Sequence, residues 1–241
     1  MEESDWSSDV CSSDLDEDPG PTLWVGPGET LVKQFCYERI QPMFNLAPDL
    51  LKHLFSTKRE DFNKQGIALD RMNLHFGWAG SASSLASRPI RFLFMDEIDK
   101  YPAFAGKEAD PIELATERTK TFWNRKIVKC STPTTKEGYI WRDYHKTDMR
   151  RYHVPCPHCG NYQPMVFGQL KFPHDERDPQ AILDEKKAWY ECAYCDGHIT
   201  DRHKQQMLES GVWAPEDAVI DEKGNIKGGL PVVSRVGFWL N

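Results

Sequence analysis

No apolar run in this 241-residue chain approaches the ~18 residues needed to cross a bilayer as a helix. The amino terminus has neither a basic flank nor an apolar core, so it does not read as a secretory leader. Positive charge is missing from residues 1–20, which carry eight acids (Glu2, Glu3, Asp5, Asp9, Asp14, Asp16, Glu17, Asp18) and no Lys or Arg. No segment ends in Gly-Lys-Ser/Thr, the close of a loop that grips nucleotide phosphates. Gly26-Pro27-Gly28-Glu29-Thr30 comes nearest. Its lysine, Lys33, falls a turn too late, and the segment reads as an ordinary strand–turn–helix.

The net charge of −7 is therefore a local property. Removing the eight amino-terminal acids leaves residues 21–241 at −7 + 8 = +1. Within them, 117–151 holds ten bases against four acids, suited either to a phosphate backbone or to solvated helix faces. The seven cysteines are unevenly placed: four form two Cys-x-x-Cys pairs, while Cys11, Cys36 and Cys130 stand alone. Without a leader, that spacing favours metal binding over disulfides. The length allows one or two domains.

Residues 91–97, Arg-Phe-Leu-Phe-Met-Asp-Glu, run four apolar residues into two adjacent carboxylates. A short apolar run bounded by turn residues reads as a strand buried on both faces, as in a parallel sheet. Acids at its carboxyl end project into the crevice where open α/β sheets bind ligands. This is the pattern of a Walker B strand, in which Asp96 holds Mg²⁺ and Glu97 polarises the attacking water. Lys126–Cys130 is expected as the next strand, and Ser131-Thr132-Pro133-Thr134 follows it. Those hydroxyls are expected opposite the carboxylates, to sense the terminal phosphate or couple hydrolysis to movement.

Other expected elements alternate strand with helix, which argues for a parallel sheet. They are a strand over 22–25, a helix from Thr30 to about 41, a short helix over 48–56 and a hairpin over 66–76. Helices over 81–87 and 111–124 complete the set.

Cys156-Pro-His-Cys159-Gly160 and Cys192-Ala-Tyr-Cys195-Asp-Gly197 are two zinc-knuckle sequences. Four thiolates satisfy tetrahedral Zn²⁺ and leave no open position for water, so the site is structural. The 32 residues between the pairs exceed the usual spacing, and an excursion around 171–188 is expected. His158 is an alternative ligand that four cysteines make unnecessary. Residues 5–15, Asp-Trp-Ser-Ser-Asp-Val-Cys-Ser-Ser-Asp-Leu, equal in order the translation of a common sequencing-adapter oligonucleotide, which predicts a segment foreign to the fold.

Taken in order, these motifs resemble the lambda-type large terminase subunit of tailed bacteriophages. The series is Asp18-Pro-Gly-Pro21, Met95-Asp-Glu-Ile-Asp-Lys-Tyr-Pro102, Ser131-Thr-Pro-Thr134, Arg151-Tyr-His-Val-Pro-Cys-Pro-His-Cys-Gly160, Tyr190-Glu-Cys-Ala-Tyr-Cys195, Gly211-Val-Trp213 and Gly237-Phe-Trp-Leu-Asn241.

The resemblance implies an α/β fold, an incomplete P-loop-type, mostly parallel sheet with a Cys₄ zinc ribbon. It implies an adapter-like segment over 1–15, an ATPase core over 16–150, a zinc ribbon over 151–213 and a return to the core over 214–241. It assigns Asp96 and Glu97 to catalysis, Ser131, Thr132 and Thr134 to nucleotide sensing, and Arg118 to a helix near the nucleotide. Cys156, Cys159, Cys192 and Cys195 take zinc, and Asp96 takes magnesium with ATP.

The implied function of the parent is ATP-driven packaging of double-stranded DNA into procapsids, with a further nuclease domain. Its partners would be DNA, a small terminase subunit, the portal and further copies of itself, in the host cytoplasm and without a membrane. The family's phosphate-gripping loop is expected just before Asp18, so this fragment alone is expected to be inactive. A zinc-ribbon helicase and a non-enzymatic zinc-dependent nucleic-acid-binding module are the competing readings.

Overall fold

The computed structural model describes residues 18–47, 50, 52–54, 62–63, 66–86, 88–228, 230 and 233–240. The adapter-like segment lies outside these residues, as does most of the expected helix over 48–56. The chain divides into two compact units at 140/141. Residues 214–241 belong to the second of them, a division that differs from the boundaries expected above.

The first unit is built on a six-stranded sheet. Its strands are β1 (Thr22–Gly26), β2 (Phe62–Asn63), β3 (Gly66–Ala68), β4 (Asn73–Trp78), β5 (Phe92–Asp96) and β6 (Lys126–Cys130), in the order β2-β3-β4-β1-β5-β6. β4, β1, β5 and β6 are parallel. β2 and β3 form the antiparallel hairpin end. β1 and β5 are strands because every position ahead of Asp96 is apolar or small enough to be covered on both faces. Trp24, Phe92 and Phe94 pack one side with Val32 and Phe44. Leu23, Val25, Leu93 and Met95 pack the other with Leu85 and Ile98. This is how a central parallel strand reads as a continuous apolar run.

Helix α1 (Glu29–Phe35) passes through a π turn, Cys36–Ile40, into α2 (Gln41–Leu46), so the helical path runs past the expected end at 41. Helix α3 (Ala82–Ala86) sits where expected. Helix α4 (Pro111–Glu117) is capped by Asp110, whose carboxylate accepts from the amides of Ile112 and Glu113. It stops well short of 124. Thr119 is fully buried and its hydroxyl donates to the Thr116 carbonyl, turning the chain back toward β6.

At the amino end of β5, Arg91 organises this return. Its guanidinium pairs with Asp18, its carbonyl accepts from Lys126 N and its amide donates to Pro21 O. Gly20 packs on the Arg91 side chain, where a Cβ would stand 2.7 Å from Cδ.

The second unit holds β7 (Arg150–Pro155), β8 (Tyr162–Pro164), β9 (Leu170–Lys171), β10 (Trp189–Glu191), β11 (His198–Ile199), β12 (Val212–Pro215) and β13 (Phe238–Trp239). One sheet orders β12-β7-β13, with β8 also on β7; a smaller one orders β11-β10-β9. β13 lies parallel to β7 through Phe238↔Arg150 and Trp239↔Arg151, which is why 238–239 belong with this unit. Phe238 meets Trp213 edge-on at 5.1 Å, closing an aromatic layer over that sheet. Helix α5 (Tyr139–Tyr144) spans the division between the units, whereas α6 (Pro179–Asp184) and α7 (Lys204–Glu209) lie within the second. Residues 172–188 form the expected excursion, leaving from β9 and returning at β10 with α6 between them.

Candidate active site and metal centre

Asp96 ends β5 and Glu97 follows in a left-handed conformation, φ 54° and ψ 46°. That backbone is costly for a residue with a Cβ and persists only where surroundings hold it. Here they do. Ile98 is fully buried, and Ile98–Lys100 form a 3₁₀ turn. Tyr101, also buried, donates from its hydroxyl to the Val25 carbonyl at 2.7 Å. The acidic turn is thereby riveted to the carboxyl end of β1. Burial, and then the nearby Asp96 charge, push the Tyr101 hydroxyl well above the usual tyrosine range, so it stays a donor.

Asp96 Oδ1 accepts from the Cys130 thiol at 3.1 Å, across the register pair Asp96↔Cys130 of β5 and β6. Burial first and the Asp96 charge second raise that thiol to about 12, so it too stays protonated. Glu97 Oε2 is enclosed and accepts no hydrogen bond of good geometry, although Lys100 Nζ lies 3.1 Å from it in an ion pair.

Two hydroxyls of the segment after β6 meet Asp99, three residues past Asp96. Ser131 Oγ accepts from Asp99 N at 3.2 Å. Asp99 Oδ2 accepts from Thr134 N at 3.0 Å and from Thr134 Oγ1 at 3.2 Å. Asp99 Oδ1 accepts from Ile140 N at 2.8 Å. Thr132 contributes its carbonyl, which accepts from Ser131 Oγ at 3.3 Å. Asp99, which sequence reasoning did not single out, is thus the hub between the acidic turn and residues 131–140. Its only trace in the sequence is a third acid two places past Glu97.

Arg118 is not brought to this group. Its carbonyl accepts from Ile90 N at 2.9 Å, beside the amino end of β5. Six residues of extended chain separate Ile90 from Asp96, about 20 Å.

In the second unit, Cys156, Cys159, Cys192 and Cys195 bring their sulfurs within 4.8 Å of one another. Cys156 and Cys195 are 3.9 Å apart, and Cys159 and Cys192 are 3.8 Å apart. Zn–S bonds of about 2.3 Å in a tetrahedron place sulfurs about 3.8 Å apart, so the four fit such an ion. Amides face the sulfurs, from His158 N to Cys156 and from Tyr194 N to Cys192, each at 3.4 Å.

At Cys159, burial raises the thiol, but hydrogen bonds from Asn161 and the neighbouring thiols outweigh it and bring it down to about 7. His158 turns its Nε2 to donate to the His198 carbonyl at 2.9 Å, in keeping with four cysteines being enough. The knuckles differ in their turns. Gly160 takes the left-handed position of the first (φ 73°), but Asp196 takes that of the second (φ 54°). Gly197 is glycine for another reason: a Cβ there would stand 2.7 Å from the His158 ring.

A mostly parallel α/β sheet with adjacent acids at the carboxyl end of an interior strand, and a four-cysteine module following it in the chain, define an α/β protein with a cysteine-rich module. The description "phage terminase large subunit gpA, ATPase domain" fits residues 3–213 by its family model, and the chain belongs to that family. It is similar to the large terminase subunit of Enterobacteria phage P21, 24% identical over 206 residues that cover 81% of this chain and 31% of that protein. The chain thus spans about a third of that curated relative's length.

Among solved structures, a substituted form of the large terminase ATPase domain of Thermus phage P74-26 is similar with a TM-score of 0.41 and 15% identity, over 58% of this chain and 59% of that one. The unsubstituted domain gives 0.37 and 16%, over 53% and 54%.

Proposed function

We propose that this chain supplies the hydrolytic carboxylates and a zinc-stabilised module to a terminase subunit that packages double-stranded DNA at the expense of ATP. The observation that carries the reading is the Asp96–Glu97 turn, held in a strained backbone at the carboxyl end of a buried strand, in a chain of this family. Asp96, the last residue of β5, is the residue to hold Mg²⁺, and Glu97, next to it in the turn, the one to orient water. The metal would neutralise charge that develops on the phosphates. The Cys130 thiol donates to Asp96 and fixes the carboxylate's orientation without adding charge.

The cysteine cluster is proposed to bind one Zn²⁺, since soft thiolates in a closed tetrahedron select that ion. DNA is the proposed polymer partner, met by bases of the 117–151 stretch. Lys120 and the flanking Trp123, which is 95% exposed, lie on its surface. A small terminase subunit, a portal and further copies of the subunit are the proposed assembly partners, in the cytoplasm of the phage's host. These 241 residues contain no Gly-Lys-Ser/Thr loop, so the polypeptide by itself is proposed not to turn ATP over.

The test is Glu97→Gln in the intact subunit. Turnover is expected to fall about 100-fold or more, as for loss of a group acting in the transition state, with KM for ATP little changed. Full activity in Glu97→Gln would refute the assignment, and Glu97-dependent hydrolysis by the 241-residue polypeptide would refute the proposed inactivity.

A further inference from the structure

We propose that Asp99 is a positioning residue that carries displacements of the acidic turn into helix α5, and so into the chain that begins the second unit. The proposal rests on the reading of Asp96 and Glu97 as the hydrolytic carboxylates.

The acidic turn is short and stiff. Between Asp96 and Asp99 lie only Glu97, in its left-handed backbone, and Ile98, with no exposed surface. Asp99 therefore cannot stay still if Asp96 moves. Its side chain is spent entirely on residues 131–140. One oxygen takes the amide and hydroxyl of Thr134, the other takes the amide of Ile140, and its own amide donates to Ser131.

Ile140 is the second residue of α5, and amides in a first helical turn have no acceptor within the helix. Asp99 supplies that acceptor from 41 residues away in sequence. Its negative charge also suits the positive end of the helix. Gly138 wraps the same carboxylate so closely that a Cβ there would overlap it. The next residue after Ile140 is Trp141, the first of the second unit. A shift received at Ile140 thus passes into that unit through the covalent chain.

The hydroxyls of Ser131 and Thr134, expected to face the phosphates, meet Asp99. On this geometry, information about the nucleotide reaches them through the acidic turn rather than by direct contact.

The decisive experiment uses the intact subunit and compares Asp99→Asn with Thr134→Val. Asn keeps an oxygen for Ile140 N but puts an amide where Thr134 N needs an acceptor; Val removes only the hydroxyl. ATP turnover, KM for ATP, thermal midpoint and DNA length packaged per ATP are read for each. Asp99→Asn is expected to keep KM and turnover within about threefold while DNA packaged per ATP falls about tenfold, a coupling loss of ordinary size. Thr134→Val is expected to show the same split, more weakly.

Hydrogen exchange supplies a second readout. In the unsubstituted subunit, protection at the Ile140 amide is expected to change on adding Mg²⁺ with ATPγS, and Asp99→Ala is expected to abolish that change. Packaging that falls only in proportion to turnover, or an unaltered ratio in Asp99→Asn, would overturn the proposal. So would an Ile140 amide indifferent to ATPγS, which remains decisive even if Asp99→Asn does not fold. Failure of the underlying reading shows separately, as full turnover in Glu97→Gln.

Discussion

Stripping metal from the four-cysteine cluster should unfold the second unit and leave the first standing. The buried apolar cluster around the site consists of Val154, Cys156, Tyr190, Cys192, Ile199 and Met207. Two of the six are ligands, so four side chains remain, contributing about 6–12 kcal/mol at about 1.5–3 kcal/mol each. Structural zinc in small modules contributes about 10–16 kcal/mol of folding free energy at neutral pH. The metal term is comparable to that of the whole apolar cluster around the site, so the cluster cannot make up for its loss. By contrast, the first unit buries two apolar layers, one on each face of its sheet.

The expected result is one zinc per chain by elemental analysis. Chelation should cause loss of near-ultraviolet circular dichroism from the second unit's tryptophans and collapse of amide protection at Val154 and Tyr190. Protection at Leu23, Val25 and Leu93 should survive. Cys192→Ser, at a sulfur with almost no exposed surface, should reproduce the effect without chelator. Protein shown to be metal-free that keeps protection at Val154 and Tyr190 would refute the reasoning.

Two further outcomes concern single side chains of the first unit. His75 accepts from Arg88 through Nδ1 at 2.6 Å, and burial, followed by the Arg88 charge, lowers its titration to about 4 from the ordinary 6.5. The folded protein holds it neutral while the unfolded chain protonates it, so stability should be full above about pH 6.5 and decline toward pH 4. His75→Gln should flatten that part of the acid limb in urea titrations, and an unchanged slope would count against the assignment. Gly138→Ala should destabilise the first unit by about 1–3 kcal/mol, because a methyl group there overlaps the Asp99 carboxylate. A melting temperature equal to that of the unsubstituted chain would mean the 131–140 segment yields freely.

What could be read from the sequence was what repeats or concentrates. β1 and β5 are uninterrupted apolar runs ended by turn residues, and the cysteine spacing carries its own geometry. What could not be read depends on contacts between distant residues. Tyr101 reaches Val25, and Asp99 reaches Ile140, through single hydrogen bonds that leave no period in the chain. The hydroxyls of Ser131 and Thr134 were legible as a turn beside the acids, but their true partner was not. Helix α4 has the composition to continue to 124 and is stopped by Thr119 entering the interior. The resemblance likewise carried Arg118 toward the nucleotide, whereas its carbonyl meets Ile90 N beside the amino end of β5.

The pairing of β5 with β6, from Phe92↔Lys126 to Asp96↔Cys130, has a consequence for how this segment can change over evolutionary time. Strand faces alternate with a period of two, so a slip of one residue would exchange inward and outward side chains along the whole of β6. It would also set Lys129 or Ser131 against Asp96 in place of the neutral thiol, and break the bond from Asp99 N to Ser131. The stretch from Arg118 to Arg125 therefore acts as a ruler. Its side chains are free to vary wherever they face water, but its length is not, and single insertions or deletions there should be rarer among functional descendants than substitutions.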